Sequence, residues 1–332
     1  MGSEKRLSVA VIHGGPSTEA EVSRASSQGV TRALAKAGHP VVSLPLDSFL
    51  PESLRTGGYD VAFPVAHGAV GEDGSLQGLL EVIAMPYVGS DVVASALAMH
   101  KRFSRALFKA AGLPVARGVA IDRRTSAMDW AQIARREIGE RLVVKPSSQG
   151  SAVGVVRLDG AAPVDDVARA IEAVWEIDEF AIVEHFARGL EITCAVLDLG
   201  EPRALPVTEI RSPRDPFYTY EARYAPGRSV HVCPAPLPDA LTERVQRIAV
   251  SAHDLLGCRD LSRVDFIVGD DADAEAVTLL EVNTLPGMTA TSLYPEAAAV
   301  AGLTMPALCD ALARHAHARG VTRRLDAKPL PR

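Results

Sequence analysis

The chain has 332 residues, a length that suggests about two domains and excludes neither one nor three, and its 47% hydrophobic and 23% charged residues exclude a disordered protein. A net charge of −6 argues against nucleic acid as a main partner. No apolar run approaches the roughly 18 residues of a membrane span, and the opening run is too brief for a signal peptide. Cys194, Cys233, Cys258 and Cys309 are too scattered for a CxxC motif, so reduced thiols in a soluble cytoplasmic protein are expected.

The first hundred residues alternate strand and helix. A β-branched run at 7–12 ends at His13-Gly14-Gly15, and a helix over 21–37 is closed by Gly38 and Pro40. Strands follow at 40–46 and 60–65, then a helix at 74–83 and a short strand at 86–89. This rhythm predicts a small parallel sheet with its functional loops at the strand C-termini. Ser90 reads as the N-cap of one long helix running to about residue 111. Beyond it come a strand at 142–145, a glycine-serine loop, a strand at 152–158, a helix at 164–174 and a strand at 181–184. The remainder holds further strands and helices at 241–256 and 305–319, and residues 321–332 read as a loose tail.

Three segments carry candidate chemistry. In the first, Arg263-Val264-Asp265-Phe266 and Leu280-Glu281-Val282-Asn283 flank an acidic turn and read as a hairpin. Opposite residues in an antiparallel pair share an index sum, so Asp265 faces Glu281 and Arg263 faces Asn283 in a symmetric register. All four then share one face, with Val264, Phe266, Leu280 and Val282 on the other. Two carboxylates directly opposite repel, so something positive belongs between them. An oxygen-only set from Asp, Glu and Asn suits magnesium, although a solvated polar sheet face would show the same pattern. In the second segment, Lys145 at a strand end leads into Pro146-Ser147-Ser148-Gln149-Gly150-Ser151, a loop able to wrap phosphates or simply to turn. The third is His13-Gly14-Gly15 with Ser17, Glu19, Glu21 and Ser23, where a strand gives way to a helix start. It suits a small zwitterion, with Glu19 holding an ammonium, or a plain helix cap. His67 repeats the logic at the next strand tip.

Taken in order, these segments resemble the D-alanine–D-alanine ligases of the ATP-grasp superfamily. The resemblance rests on Gly14-Gly15 with Glu19, Glu21 and Ser23; His67-Gly68 with Gly71-Glu72-Asp73-Gly74; Lys145-Pro146 with Gly150-Ser151; Tyr218, Tyr220 and Tyr224; Arg263 with Asp265; and Glu281, Asn283, Thr284, Pro286, Gly287 and Met288. It runs from about residue 8 to 315. It implies an α/β ATP-grasp fold with a Rossmann-like N-terminal substrate domain (1–99), a central domain (100–189) and a C-terminal domain (190–320) clamping ATP. By the same resemblance, Lys101, Lys145, Glu184, Glu191 and Arg223 bind the nucleotide. Asp265, Glu281 and Asn283 hold magnesium, two ions with manganese as a substitute. Glu19, Ser151 and Tyr224 close over the first D-amino acid beside His67. Arg263 and the Gly287 amide stabilise the tetrahedral intermediate, and Ser292 and Leu293 contact the second substrate. The implied activity joins two D-alanines through an acyl phosphate for peptidoglycan precursors, in a cytoplasmic homodimer without nucleic-acid or membrane partners. D-serine, D-lactate or another substrate pair is the alternative, and Tyr224 weighs against lactate. His100, Gln149, Ala152, Thr219 and Arg223 depart from the family's usual residues. These departures sit around the phosphate loop and the substrate-closing loop, away from the metal ligands.

Overall fold

The computed structural model describes residues 5–17, 19–158, 160, 162–212, 228–269 and 277–321; Thr219, Arg223 and Tyr224, with the aromatic segment around them, lie outside the described residues. Strands β1 (Val9–His13), β2 (Val41–Pro45) and β3 (Val61–Pro64) form a parallel sheet in the order β2-β1-β3, as the alternating rhythm predicts. β1 is apolar and buried from Val9 to Ile12 because both of its faces are covered. Val9 and Val11 pack with Val30 and Leu34 of helix α1 (Ala20–Lys36), while Ala10 and Ile12 join Leu50 and Leu54 of α2 (Leu50–Thr56) and Leu76 and Leu80 of α3 (Ser75–Val82).

Residues 86–89 form only a single parallel bridge, Ala62 to Tyr87, rather than a strand. Nor does one helix start at Ser90. Asp91 caps α4 (Val92–Met99), accepting from the amides of Val93 at 3.0 Å and Ala94 at 3.1 Å, while the Ser90 hydroxyl accepts from the Arg259 amide. The chain then breaks at His100 (φ −90°, ψ 92°) before α5 (Lys101–Ala110) begins. Ser147 satisfies the exposed amides of the new helix, its carbonyl taking Lys101 N at 2.8 Å and its hydroxyl taking Arg102 N at 3.2 Å.

A second, antiparallel sheet has the order β4-β7-β5-β6, from β4 (Gly118–Ile121), β5 (Leu142–Pro146), β6 (Val156–Leu158) and β7 (Ala181–His185). Helices α6 (Ala127–Glu137) and α7 (Val164–Trp175) cover it and close a core of its own. β6 begins at Val156, not at 152, because Ser151 (φ 49°) and Ala152 (φ 57°) take left-handed conformations that no strand accommodates.

The third sheet runs β11-β10-β8-β12-β13, with β9 (Pro202–Ala204) paired to β8 (Gly189–Asp198). Its other members are β10 (Thr208–Arg211), β11 (Val230–Val232), β12 (Leu261–Gly269) and β13 (Val277–Asn283). One face packs on α8 (Asp239–Leu256) and on Ala94, Ala98 and Phe108 from α4 and α5. The other shares a core with the first sheet: Val9, Val11 and Phe63 meet Ala195, Leu197 and Leu261, together with Tyr294 of α9 (Leu293–Val300) and Leu308 and Leu312 of α10 (Met305–Arg319). First and third sheets are thus welded through one apolar core. No single helix among the described residues is long and apolar enough to cross a membrane, and all four cysteines are free.

Candidate active site

The hairpin β12–β13 has the register that the index sum predicts, Arg263 opposite Asn283 and Asp265 opposite Glu281. Immediately after Asp265 a β-bulge intervenes, and Phe266 pairs with Leu279. Leu279 therefore takes the core position beside Phe266 and Val264, and Leu280 turns to line a cavity, correcting its expected place on the apolar face. The two facing carboxylates are balanced by cations of the chain itself. Arg263 donates to both oxygens of Asp265, Nε at 2.9 Å and a terminal nitrogen at 2.7 Å, and Thr193 Oγ1 adds a 2.6 Å bond. Lys101 Nζ lies 3.1 Å from Glu281 and donates to the Gln149 carbonyl at 2.7 Å.

A second ion cluster lies deeper. Lys145 and Arg105 both pair with Glu184, all three nearly buried. Burial opposes ionisation of Glu184, but the two cations outweigh it and hold its carboxyl below the usual carboxylate range. Buried ions survive only when paired in this way.

At the far end of the cleft, Ser151 Oγ donates to Glu19, a contact between the second sheet's loop and the first sheet's helix start. Two glycines let backbone approach that carboxylate. A Cβ built on Gly150 would fall 3.2 Å from Glu19 Oε2, and one on Gly68 2.5 Å from Ser17 Oγ. His67 Nδ1 lies 3.5 Å from Glu72, whose other oxygen accepts from the Gly68 amide at 2.7 Å. Burial opposes a charged His67, yet Glu72 and Glu19 outweigh it and raise the imidazole above its usual value; burial also pushes Glu72 up, aided by Glu19.

These groups surround two adjoining cavities. The larger, of about 450 Å³, is lined by Glu19, His67, Ser151, Arg263, Asn283, Gly287, Ser292 and Leu293. The smaller, of about 140 Å³, is lined by Lys145, Glu184 and Glu191 and walled by Val143, Phe186, Ile267 and Leu280, a slot for a flat apolar ring beside cations. Lys101, Gln149 and Glu281 line both and so form the passage between them. Of the residues given binding, catalytic or metal roles in the sequence, Arg223 and Tyr224 lie outside the described residues, and among the others Asp265 alone lines neither cavity, its carboxylate held by Arg263.

Sequence reasoning missed Arg105, Thr193 and the apolar slot. Arg105 was findable, since Lys101, Ser104, Arg105 and Phe108 share the buried i, i+3, i+4, i+7 face of α5, where cations are out of place without an anion. Thr193 and Ile267 come from strand pairings between segments remote in sequence, which no local pattern encodes.

Glu281 and Asn283 line the larger cavity and Asp265 faces Glu281 across the hairpin, residue types that suit a hard divalent cation, while Arg263 holds both Asp265 oxygens and the Leu285 amide donates to Asn283 Oδ1. A slot for a ring with cations in its lining, joined by a passage to a chamber with its own carboxylate, is the arrangement expected of an ATP-dependent ligase of the ATP-grasp fold. Two family models match in order, D-ala D-ala ligase N-terminus over residues 47–90 and D-ala D-ala ligase C-terminus over 107–314. The D-alanine--D-alanine ligase of Desulforamulus reducens is 41% identical over 311 residues, covering 92% of this chain and 97% of that protein. The structure resembles the D-alanine--D-alanine ligase of Bacillus anthracis complexed with ATP (TM-score 0.77, 28% identity, 94% and 98% of the two chains). It resembles equally the VanG D-Ala:D-Ser ligase of Enterococcus faecalis (TM-score 0.79, 28% identity, 94% and 100%). The chain belongs to the D-alanine–D-alanine ligase family.

Proposed function

We propose that the protein joins two D-alanines at the expense of ATP, making D-alanyl-D-alanine for peptidoglycan precursors. The observation that carries this reading is the passage at Lys101, Gln149 and Glu281, which connects the ring slot to the chamber containing Glu19. Phe186, Ile267 and Leu280 would hold the base of ATP, and Lys145 and Lys101 its phosphates. Glu19 holds the ammonium of the first D-alanine, with the His67–Glu72 pair behind it, so that its carboxylate points at the passage. The γ-phosphoryl group moves onto that carboxylate, and the amine of the second D-alanine, seated by Ser292 and Leu293, attacks the carbonyl carbon and expels phosphate. Arg263 and the Gly287 amide border the chamber where the oxyanion forms. Asp265, Glu281 and Asn283 would hold magnesium, which when bound neutralises charge on the phosphates. The division at 1–99, 100–189 and 190–320 is part of this proposal, as are the cytoplasmic location and homodimeric state. So is the assignment of Tyr224 and Arg223 to closure and nucleotide binding.

The test is Glu19→Ala. Losing a charge-assisted bond in a closed site should cost about 2–3 kcal/mol, a roughly 30- to 150-fold drop in kcat/KM for the first D-alanine, with ATP affinity nearly unchanged. The Glu19 side chain makes no capping bond to α1, so full D-alanine use by this variant would leave it only the contact with Ser151.

A further inference from the structure

A buried carboxylate outside both cavities, Asp260, has a wholly inaccessible side chain and a left-handed backbone (φ 62°). Non-glycine residues persist in that region only when their surroundings dictate it. Its surroundings come from both welded sheets. Asp260 Oδ2 accepts from the Gly89 amide at 2.6 Å and from Arg319 at 3.0 Å, and Oδ1 pairs with Arg319, with His315 Nε2 at 3.8 Å. Arg319, in the last turn of α10, donates in addition to the Tyr87 carbonyl at 2.8 Å. Arg259 bonds the Ser90 hydroxyl through its amide at 3.2 Å and reaches the Gly89 carbonyl at 3.3 Å. Residues 87–90 lead straight into α4 and so to Lys101, while Asp260 immediately precedes β12, which bears Arg263 and Asp265.

We propose that Asp260 is a positioning residue: with Arg319 it latches residues 87–90 to the start of β12, fixing the distance between the Glu19–His67 end of the chamber and the Arg263–Glu281 end. The inference rests on the ligase reading for its kinetic consequence but not for the latch itself. A latch between these two units leaves most of the ATP slot alone, because apart from Lys101 and Ala116 its lining comes from the second and third sheets and their loops.

Asp260→Gly separates latch from turn. Glycine adopts φ 62° without strain, so a residue needed only for the turn would be replaced with no loss of stability or activity. As a latch, its loss should lower kcat/KM for the first D-alanine by about tenfold or more, with the ATP dissociation constant within about twofold of the parent. Hydrogen exchange at the Gly89 amide should accelerate by roughly tenfold or more, a readout independent of the reaction catalysed. Arg319→Ala, made on a partly exposed helix end, should reproduce both effects, and the double variant should lose little more than either single one. Unchanged Gly89 exchange in either single variant would overturn the latch whatever the substrate. Accelerated exchange with D-alanine kinetics unchanged, or with ATP affinity lost in step, would overturn its positioning role. A parent that ignores D-alanine would refute the ligase reading and leave the exchange result to judge the latch.

Discussion

Glu281 stands where the two cavities meet, 3.1 Å from Lys101 and opposite Asp265, and each of those placements follows from its position on β13. Replacing it by Gln keeps the shape and removes the charge that both Lys101 and a divalent cation would use. Glu281→Gln should reduce turnover on the order of 10²–10³-fold and shift the magnesium requirement to higher concentration. Turnover and magnesium titration matching the parent would dissociate the hairpin from metal binding. Glu184 offers a test of charge alone. Its carboxyl titrates below the ordinary value because Lys145 and Arg105 outweigh the burial that opposes ionisation. The sign follows: the stability it contributes is complete above the ordinary carboxylate pKa and is lost as pH falls through the lowered one. Glu184→Gln should be less stable at neutral pH, since two buried cations lose their anion, and its stability should fall less between about pH 5 and about pH 3. Parallel denaturation curves of parent and variant over that interval would contradict this.

At the scale of elements, the loop between β5 and β6 brings Gln149, Gly150 and Ser151 against Lys101 and Glu19, and it does so with two consecutive left-handed residues. Ala152 has no side-chain bond to justify its conformation, so Ala152→Gly should relieve strain and stabilise the fold by up to about 1 kcal/mol in denaturant unfolding. Stability equal to or below the parent's would show that the loop is not strained there. The register of β12–β13 was legible in the sequence because index arithmetic needs only a symmetric turn. The bulge was not, because inserting Leu280 depends on Phe266 and Leu279 finding each other in a core assembled from α8, α4 and α5. Likewise the sequence locates the start of α4 to within a residue, Ser90 against the observed cap Asp91. The break at His100 escaped because alanine-rich periodicity continues through it while Ser147, far along the chain, supplies the caps that make it tolerable. Both β4 and α6 went unread, the first being short and the second resting on one serine cap, Ser126.

Across the whole molecule, the first and third sheets share a core while the second closes its own, so the chamber has one wall built on the shared core and one carried by the Lys145–Ser151 loop. A site making an acyl phosphate must exclude water, and a separately cored second unit contacting Glu19 through Ser151 is suited to open and shut. The measurement that bears most directly on this account is phosphate release from ATP with D-alanine, L-alanine, D-serine or D-lactate, coupled to product mass. The expected result is ATP turnover that requires a D-amino acid, is greatest with D-alanine alone, and yields the mass of D-alanyl-D-alanine. ATP hydrolysis indifferent to D-alanine, or equal dipeptide formation from L-alanine, would contradict it.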